Sequence, residues 1–201
     1  MRHAFWVLTT TLLAVVAAIN LPSGASAAGD RVKEASMGSQ HTEIAVVAGG
    51  CFWGVEHLLR ELEGVVDTEV GYAGGSTANP TYREVCTGRT GHAEAVRVAF
   101  DPSAVTYADV LRHFFRLHDP TTVNRQHNDV GTQYRSAIFV ENEEQRRIAE
   151  QVMAEEDRSG RWQRPVVTEI AEGVRFWPAE AEHQDYLVKN PGGYNCHFLR
   201  E

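Results

Sequence analysis

The amino-acid sequence predicts an α+β domain in two layers, with a sheet under helices in the split βαβ, ferredoxin-like order. Three observations carry that expectation. Strand-like and helix-like patterns follow one another as β-α-β, then β-α-β, then a further helix, strand and helix. The stretch Ala93–Phe100 alternates, with Glu94, Val96, Val98 and Phe100 on one side. Val55, Leu58, Leu59 and Leu62 recur at the spacing of one helix face.

Taken in order, Glu43–Ala48 is a compact apolar strand that runs into Gly49 and Gly50. The helix over 52–62 follows, with Gly64 just past its end. A second strand covers 65–71, and the turn-rich loop 72–80 comes next. After the alternating strand, Asp101-Pro102 stops it, and Thr106 with Asp109 resembles a helix-capping pair. Val110, Leu111, Phe114, Phe115 and Leu117 then form an apolar helix face. Residues 118–134 read as a long polar loop, a length that marks either a functional loop or misplaced element boundaries. A strand over 136–140, a helix over 143–157, a strand over 166–170 and a short helix over 179–186 complete the pattern. The tail after Asn190 reads as irregular.

Composition narrows the class. The chain has 201 residues, 43% of them hydrophobic, which suffices for one packed core. The 27 acidic residues outnumber the 19 basic ones, giving a net charge of −8 and arguing against a nucleic-acid partner. Three cysteines are too few for a disulfide-built scaffold. Nothing in the pattern requires more than a monomer.

The start of the chain has the grammar of an export signal. Met1-Arg2-His3 is basic, Ala4–Ile19 is almost wholly apolar or small, and a polar stretch ends in Ala25-Ser26-Ala27-Ala28. The expected organisation is a signal peptide over 1–27, cleaved near Ala27 or Ala28, a flexible leader over 28–42, and one catalytic domain over 43–201. The expected location is periplasmic. Cys51, Cys86 and Cys196 then all lie in an oxidising compartment, where an odd count leaves one thiol unpaired or reactive.

Cys51 stands between two glycines and the start of a helix. Unpaired helix N–H groups and the positive end of the helix dipole there favour thiolate over thiol, the condition for a nucleophile. The bland alternative is a buried structural cysteine beside an aromatic pair. Phe52 and Trp53 weigh toward an apolar pocket at the site. The strand period aims Glu94 at the buried face, where desolvation raises a carboxyl pKa and suits it to general-acid work. Its alternative is a strand edge, where it meets Arg89 or solvent. Cys196 sits on a Gly-rich tail and is read either as a resolving thiol for an oxidised Cys51 or as half of a static disulfide. Cys86 is read as a small buried hydrophobe. No metal is expected, because the histidines near Asp119 and Asp129 lack ligand spacing and Glu180-Ala181-Glu182-His183 offers Glu-x-x-His only once. No cofactor-binding loop is expected either. A hydrolase pairing Cys51 with His92 or His183 is a second reading, and a non-enzymatic binding domain a third.

Six short motifs resemble one family in order along the chain: Gly50-Cys51-Phe52-Trp53-Gly54, Gly71-Tyr72-Ala73-Gly74-Gly75, Pro80-Thr81-Tyr82, Thr90-Gly91-His92-Ala93-Glu94, His118-Asp119-Pro120-Thr121 and Gln133-Tyr134-Arg135-Ser136. Together they are similar to the A-type peptide methionine sulfoxide reductases, from about Ile44 to the C-terminus. The resemblance implies reduction of the S epimer of methionine sulfoxide, free or in oxidised proteins and peptides, with recycling by thioredoxin or a similar dithiol. It implies Cys51 as nucleophile, Phe52 and Trp53 around the substrate methyl, and Glu94 as proton donor assisted by Tyr82 and Tyr134. It gives Asp129 a role through water or by orienting neighbours, and makes Cys196 the resolving thiol. One departure stands out: His127 occupies a position where the family loop usually has glycine, so the loop must avoid a left-handed turn there or hold a strained one.

Overall fold

A computed structural model describes residues 41–201. The expected signal peptide and most of the leader fall outside the described residues. The chain forms, in order, β1 (Glu43–Gly49), α1 (Phe52–Arg60), β2 (Val65–Ala73), α2 (Tyr82–Cys86), β3 (Ala93–Phe100), α3 (Tyr107–Leu117), β4 (Arg125–Gln126), β5 (Asp129–Val130), β6 (Ser136–Val140), α4 (Glu143–Arg158), β7 (Glu169–Glu172), β8 (Trp177–Pro178) and α5 (Tyr186–Lys189).

The main sheet has the order β7-β6-β1-β3-β2-β8. Its centre, β6-β1-β3-β2, is antiparallel throughout. This is the split βαβ arrangement: the two crossover units interleave, so β3 lies between the two strands that α1 connects. Extra strands extend both edges, β7 parallel to β6 and β8 antiparallel to β2.

Alternation along β1 divides the core. Ala45 and Val47 face the helices with Phe52, Val55, Leu59, Leu111, Phe114 and Phe115, whereas Val46 and Ala48 face a thinner layer. That second layer is built mainly from alanines (Ala73, Ala93, Ala95, Ala137) and covered by Val174 and Phe176. Full burial of each large apolar side chain on the helix side contributes about 1.5–3 kcal/mol.

Local signals explain the helix starts. Thr106 accepts from the backbone N–H of Asp109 and starts α3; Asn142 does the same with Gln145 for α4. Thr81 and Glu84 form a reciprocal capping box that starts α2, in a stretch to which the sequence pattern assigns no element.

Three boundaries differ from expectation. The long polar region 118–134 contains the β4–β5 hairpin and a 3-10 turn over Thr132–Tyr134. The strand expected over 166–170 lies at Glu169–Glu172. The helix expected over 179–186 is a run of turns, with helix only over Tyr186–Lys189. Hydrogen bonds from outside the segment hold those turns, and a sequence pattern carries no trace of such partners.

Candidate active site

The β1-to-α1 connection places Cys51 at the cap of α1, where its carbonyl accepts from the Val55 N–H at 3.3 Å. Gly50 has φ of +108°, and a Cβ there would lie 2.6 Å from Cγ of Gln126. Glycine therefore lets the buried Gln126 pack directly on the turn. Gln126 in turn accepts from the Asp119 N–H at 2.9 Å and donates to the Asp119 carbonyl at 2.6 Å. This amide pair docks the β4–β5 hairpin beside Cys51. Gln126 pairs with Asp129 across the hairpin, so Asp129 arrives at the same place.

Glu94 lies on β3 opposite Tyr72, with 2% of its surface exposed. Its Oε2 accepts from the Phe52 N–H at 3.0 Å. Burial pushes its carboxyl up to about 8, the Phe52 N–H opposing and the Asp129 charge adding. The buried-face reading of Glu94 therefore holds, and the strand-edge alternative does not.

Cys51 departs from expectation. The helix start is where the sequence places it, and the backbone N–H of Trp53 does pull its pKa down. Burial, followed by the negative charge of Glu94, outweighs that pull and pushes the thiol well above its ordinary range. The thiol is 6% exposed, and desolvation of an anion exceeds what one helix end returns. A protonated Glu94 removes one of the two main causes.

Cys196 is half-buried, and its Sγ donates to Oδ2 of Asp129 at 3.4 Å. Burial and that carboxylate push its thiol up to about 12. The Tyr194 hydroxyl donates to Oδ1 of the same carboxylate at 3.0 Å. Cys51 and Cys196 are both free thiols here, so the static disulfide is not what the structure contains. The Asp129 charge also raises the Cys51 pKa. Below them Gly54 sits inside α1, and a Cβ there would fall 2.5 Å from Oδ1 of Asn195 and 2.7 Å from Cδ2 of His197. The glycine lets the tail lie on the helix.

Phe52 is 1% exposed. Its ring lies 6.2 Å from Trp53, 6.3 Å from Tyr82 and 5.5 Å from His183, between centroids. Trp53 stacks on Tyr186 at 3.8 Å. Burial and then the Glu94 charge push the hydroxyls of Tyr82 and Tyr134 well up, so both remain protonated donors near that carboxyl. All eight residues singled out in the sequence thus fall in one region.

Sequence reasoning gave no pocket role to His183 or Tyr186, which wall the aromatic cluster, and passed over Gln126. His183 carries the Glu-x-x-His spacing and is one of the two hydrolase-base candidates. Glu180 instead accepts from the Tyr82 N–H and the Tyr72 hydroxyl, both at 2.8 Å. The other base candidate, His92, is committed to the loop before β3. Its Nδ1 accepts from the Gly75 N–H at 3.1 Å, which leaves Nε2 to donate to the Thr77 carbonyl at 2.8 Å. Cys86 corrects a second expectation: it is exposed. Val85 takes the buried face of α2, and the next position turns outward by helix geometry.

His127 adopts φ of +48°, so the hairpin holds the left-handed turn without glycine. Its ring lies 6.3 Å from Phe198 in the tail.

The α+β fold and a cysteine beside a buried, protonated carboxyl and a second thiol define a thiol-based oxidoreductase. The family model described as peptide methionine sulfoxide reductase matches residues 43–201. The chain is 55% identical over 159 residues to "Peptide methionine sulfoxide reductase MsrA 1" of Mesorhizobium japonicum, covering 79% of this chain and 90% of that one. Its fold is similar to reduced Mxr1 from Saccharomyces cerevisiae, with a TM-score of 0.74 and 38% identity over 80% of this chain and 93% of that one. It is also similar to Mxr1 in complex with Trx2, with a TM-score of 0.53 and 27% identity over 80% and 91% of the two chains. The chain belongs to the peptide methionine sulfoxide reductase family and is a methionine sulfoxide reductase.

Proposed function

We propose that this enzyme reduces the S epimer of methionine sulfoxide, free or within oxidised proteins and peptides, through the Cys51 sulfur. The observation that carries the reading is the buried Glu94 carboxyl, protonated at neutral pH and bonded to the residue after Cys51. The Cys51 sulfur attacks the sulfoxide sulfur while Glu94 protonates its oxygen, with Tyr82 and Tyr134 donating hydrogen bonds. A preorganised acid and donors in a dry site stabilise the developing oxyanion. The oxygen passes to Cys51, so thiol and sulfoxide become sulfenic acid and thioether. Glu94 regains the proton that the thiol gave up.

The Cys196 thiol then condenses with the sulfenic acid, releasing water and forming a disulfide. Asp129 holds that thiol in place until it is needed. An external dithiol, of the thioredoxin kind found with the related yeast Mxr1, reduces the disulfide and becomes a disulfide itself. Phe52 and Trp53 hold the substrate methyl group.

The test is chiral chromatography of N-acetyl-methionine sulfoxide after incubation with enzyme and dithiothreitol, with Cys51→Ser alongside. Loss of the S epimer alone, absent in the mutant, supports the reading; loss of neither epimer from the parent overturns it. We read 43–201 as the catalytic domain, acting as a monomer; the family match over the same residues supports these bounds. The basic start, apolar run and small-residue site of 1–28 support export to the periplasm, checked by N-terminal sequencing of the protein recovered there.

A further inference from the structure

The stretch 179–185 has no regular helix or strand, yet it carries His183 and leads into Tyr186, the two rings that wall the aromatic cluster. Backbone without regular structure needs partners from elsewhere. Glu180 bonds to Tyr82 and Tyr72, as above. The Gln184 amide accepts from the Val70 N–H and donates to the Val70 carbonyl, both at 2.9 Å. At Asp185 the chain turns through φ of +55°, a conformation costly for a residue with a side chain. There the Asp185 N–H donates to Oε2 of Glu56 at 3.1 Å.

Glu56 stands on α1, one turn beyond Phe52 and Trp53, and is 2% exposed. Its Oε1 accepts from the Arg60 guanidinium at 3.1 Å and the Thr68 hydroxyl at 3.3 Å. Arg60 also pairs with the Asp185 carboxylate. Burying a carboxylate is expensive unless every lone pair is used, and here the helix that begins at Cys51 spends one on the turn between His183 and Tyr186. Burial pushes the Glu56 carboxyl up to about 7 against the pull of Arg60.

We infer that Glu56 is a positioning residue for the substrate pocket: by accepting the Asp185 N–H it fixes the left-handed turn that sets His183 and Tyr186 against Phe52 and Trp53. The inference rests on the proposed reading of those rings as the substrate site. A pocket wall contributes alike to ground state and transition state, so its displacement is read in KM and not in kcat.

The experiment compares Glu56→Ala, Glu56→Gln and Asp185→Gly in the full chain. It measures kcat and KM for N-acetyl-methionine sulfoxide with dithiothreitol, and separately the His183 Hε1 resonance without substrate. Loss of the buried bond in Glu56→Ala is expected to raise KM about tenfold with kcat within about twofold, and to move the His183 resonance. Glu56→Gln, which keeps an acceptor for the N–H, returns both toward the parent. Asp185→Gly keeps the N–H and the left-handed backbone and stays near the parent. If Glu56→Ala does not fold, Glu56→Asp carries the same expectation, because its carboxylate stops one methylene short.

A fall in kcat at constant KM, an unmoved His183 resonance, or a KM rise in Glu56→Gln would overturn the inference. An Asp185→Gly effect as large as that of Glu56→Ala would also overturn it, by placing the hold in the Arg60 ion pair. An unmutated chain that consumes no sulfoxide defeats the reading of the reaction instead, and the His183 resonance then decides the role of Glu56 alone.

Discussion

The backbone N–H of Phe52 donates to Oε2 of Glu94 at 3.0 Å, across 42 positions of sequence. The first turn of α1 has N–H groups with no helical partner, and strand β3 supplies one of their acceptors. One hydrogen bond thereby joins the element that presents Cys51 to the strand that presents the acid. Because the acceptor is buried, its proton stays on at neutral pH.

Replacing that carboxyl tests the acid role. Glu94→Gln is expected to lower kcat/KM about a hundredfold, within the usual range for losing a general acid. The parent loses activity as pH rises through about 8, where Glu94 gives up its proton, and the variant lacks that alkaline limb. A pH profile of kcat/KM for both proteins decides it; an identical limb in the variant removes Glu94 from the role.

The same shift carries a stability consequence. A carboxyl whose folded pKa lies above its unfolded value binds more protons folded than unfolded, so its stabilising effect is complete below the unfolded pKa and is lost as pH rises through about 8. Glu94→Gln should therefore flatten the fall in Tm between about pH 5 and pH 9. Calorimetry across that range is the measurement, and parallel Tm curves for the two proteins would count against it.

At the tail, Asp129 holds Cys196 as a thiol. Asp129→Asn removes a charge that raises the Cys196 pKa, so more thiolate is present at pH 8 and iodoacetamide should alkylate Cys196 several-fold faster. Mass spectrometry of the Cys196 peptide against time gives the rate. An unchanged rate would mean that burial alone sets this thiol.

Gly54→Ala sets two effects against each other. Alanine in a helix is favoured over glycine by about 1 kcal/mol. Here its Cβ would meet Asn195 at 2.5 Å and His197 at 2.7 Å, which displaces the tail that carries Cys196. The expected outcome is a normal first turnover, about one methionine per enzyme, followed by slowed disulfide formation under thioredoxin. Rapid-quench counting of methionine separates the two phases, and full steady-state activity would show that the tail tolerates the shift.

His127→Gly should raise Tm by a few degrees while leaving kcat within about twofold, because glycine accepts the positive φ without strain. A fall in Tm would show instead that the His127–Phe198 contact outweighs the strain.

Much of this protein is legible in one dimension. The alternation in 93–100 places Glu94 inward, the glycines around Cys51 announce a turn into a helix, and the Thr106–Asp109 pair marks where α3 begins, because these are relations between near neighbours. The stretch 118–134 is recognisable as too long for a plain loop, although its hairpin is not, since two-residue strands leave no period to read.

Tertiary structure alone decided the rest, and for a common reason. Whether Cys51 is favoured as a thiolate depends on the balance between a helix end, which the sequence reveals, and burial beside Glu94, which it does not; burial is the larger effect. Cys86 turned outward because the surroundings of α2 chose Val85 for the core. Segment 179–186 reads as helix by its residues, yet Glu180, Gln184 and Glu56 hold it in another path. The sequence by itself determined the family and the order of the central strands and the helices that connect them, and it singled out Cys51 and Glu94, since these follow from residue type and spacing. Protonation states and the pocket wall follow from desolvation and from bonds between distant segments, and those exist only once the chain has folded.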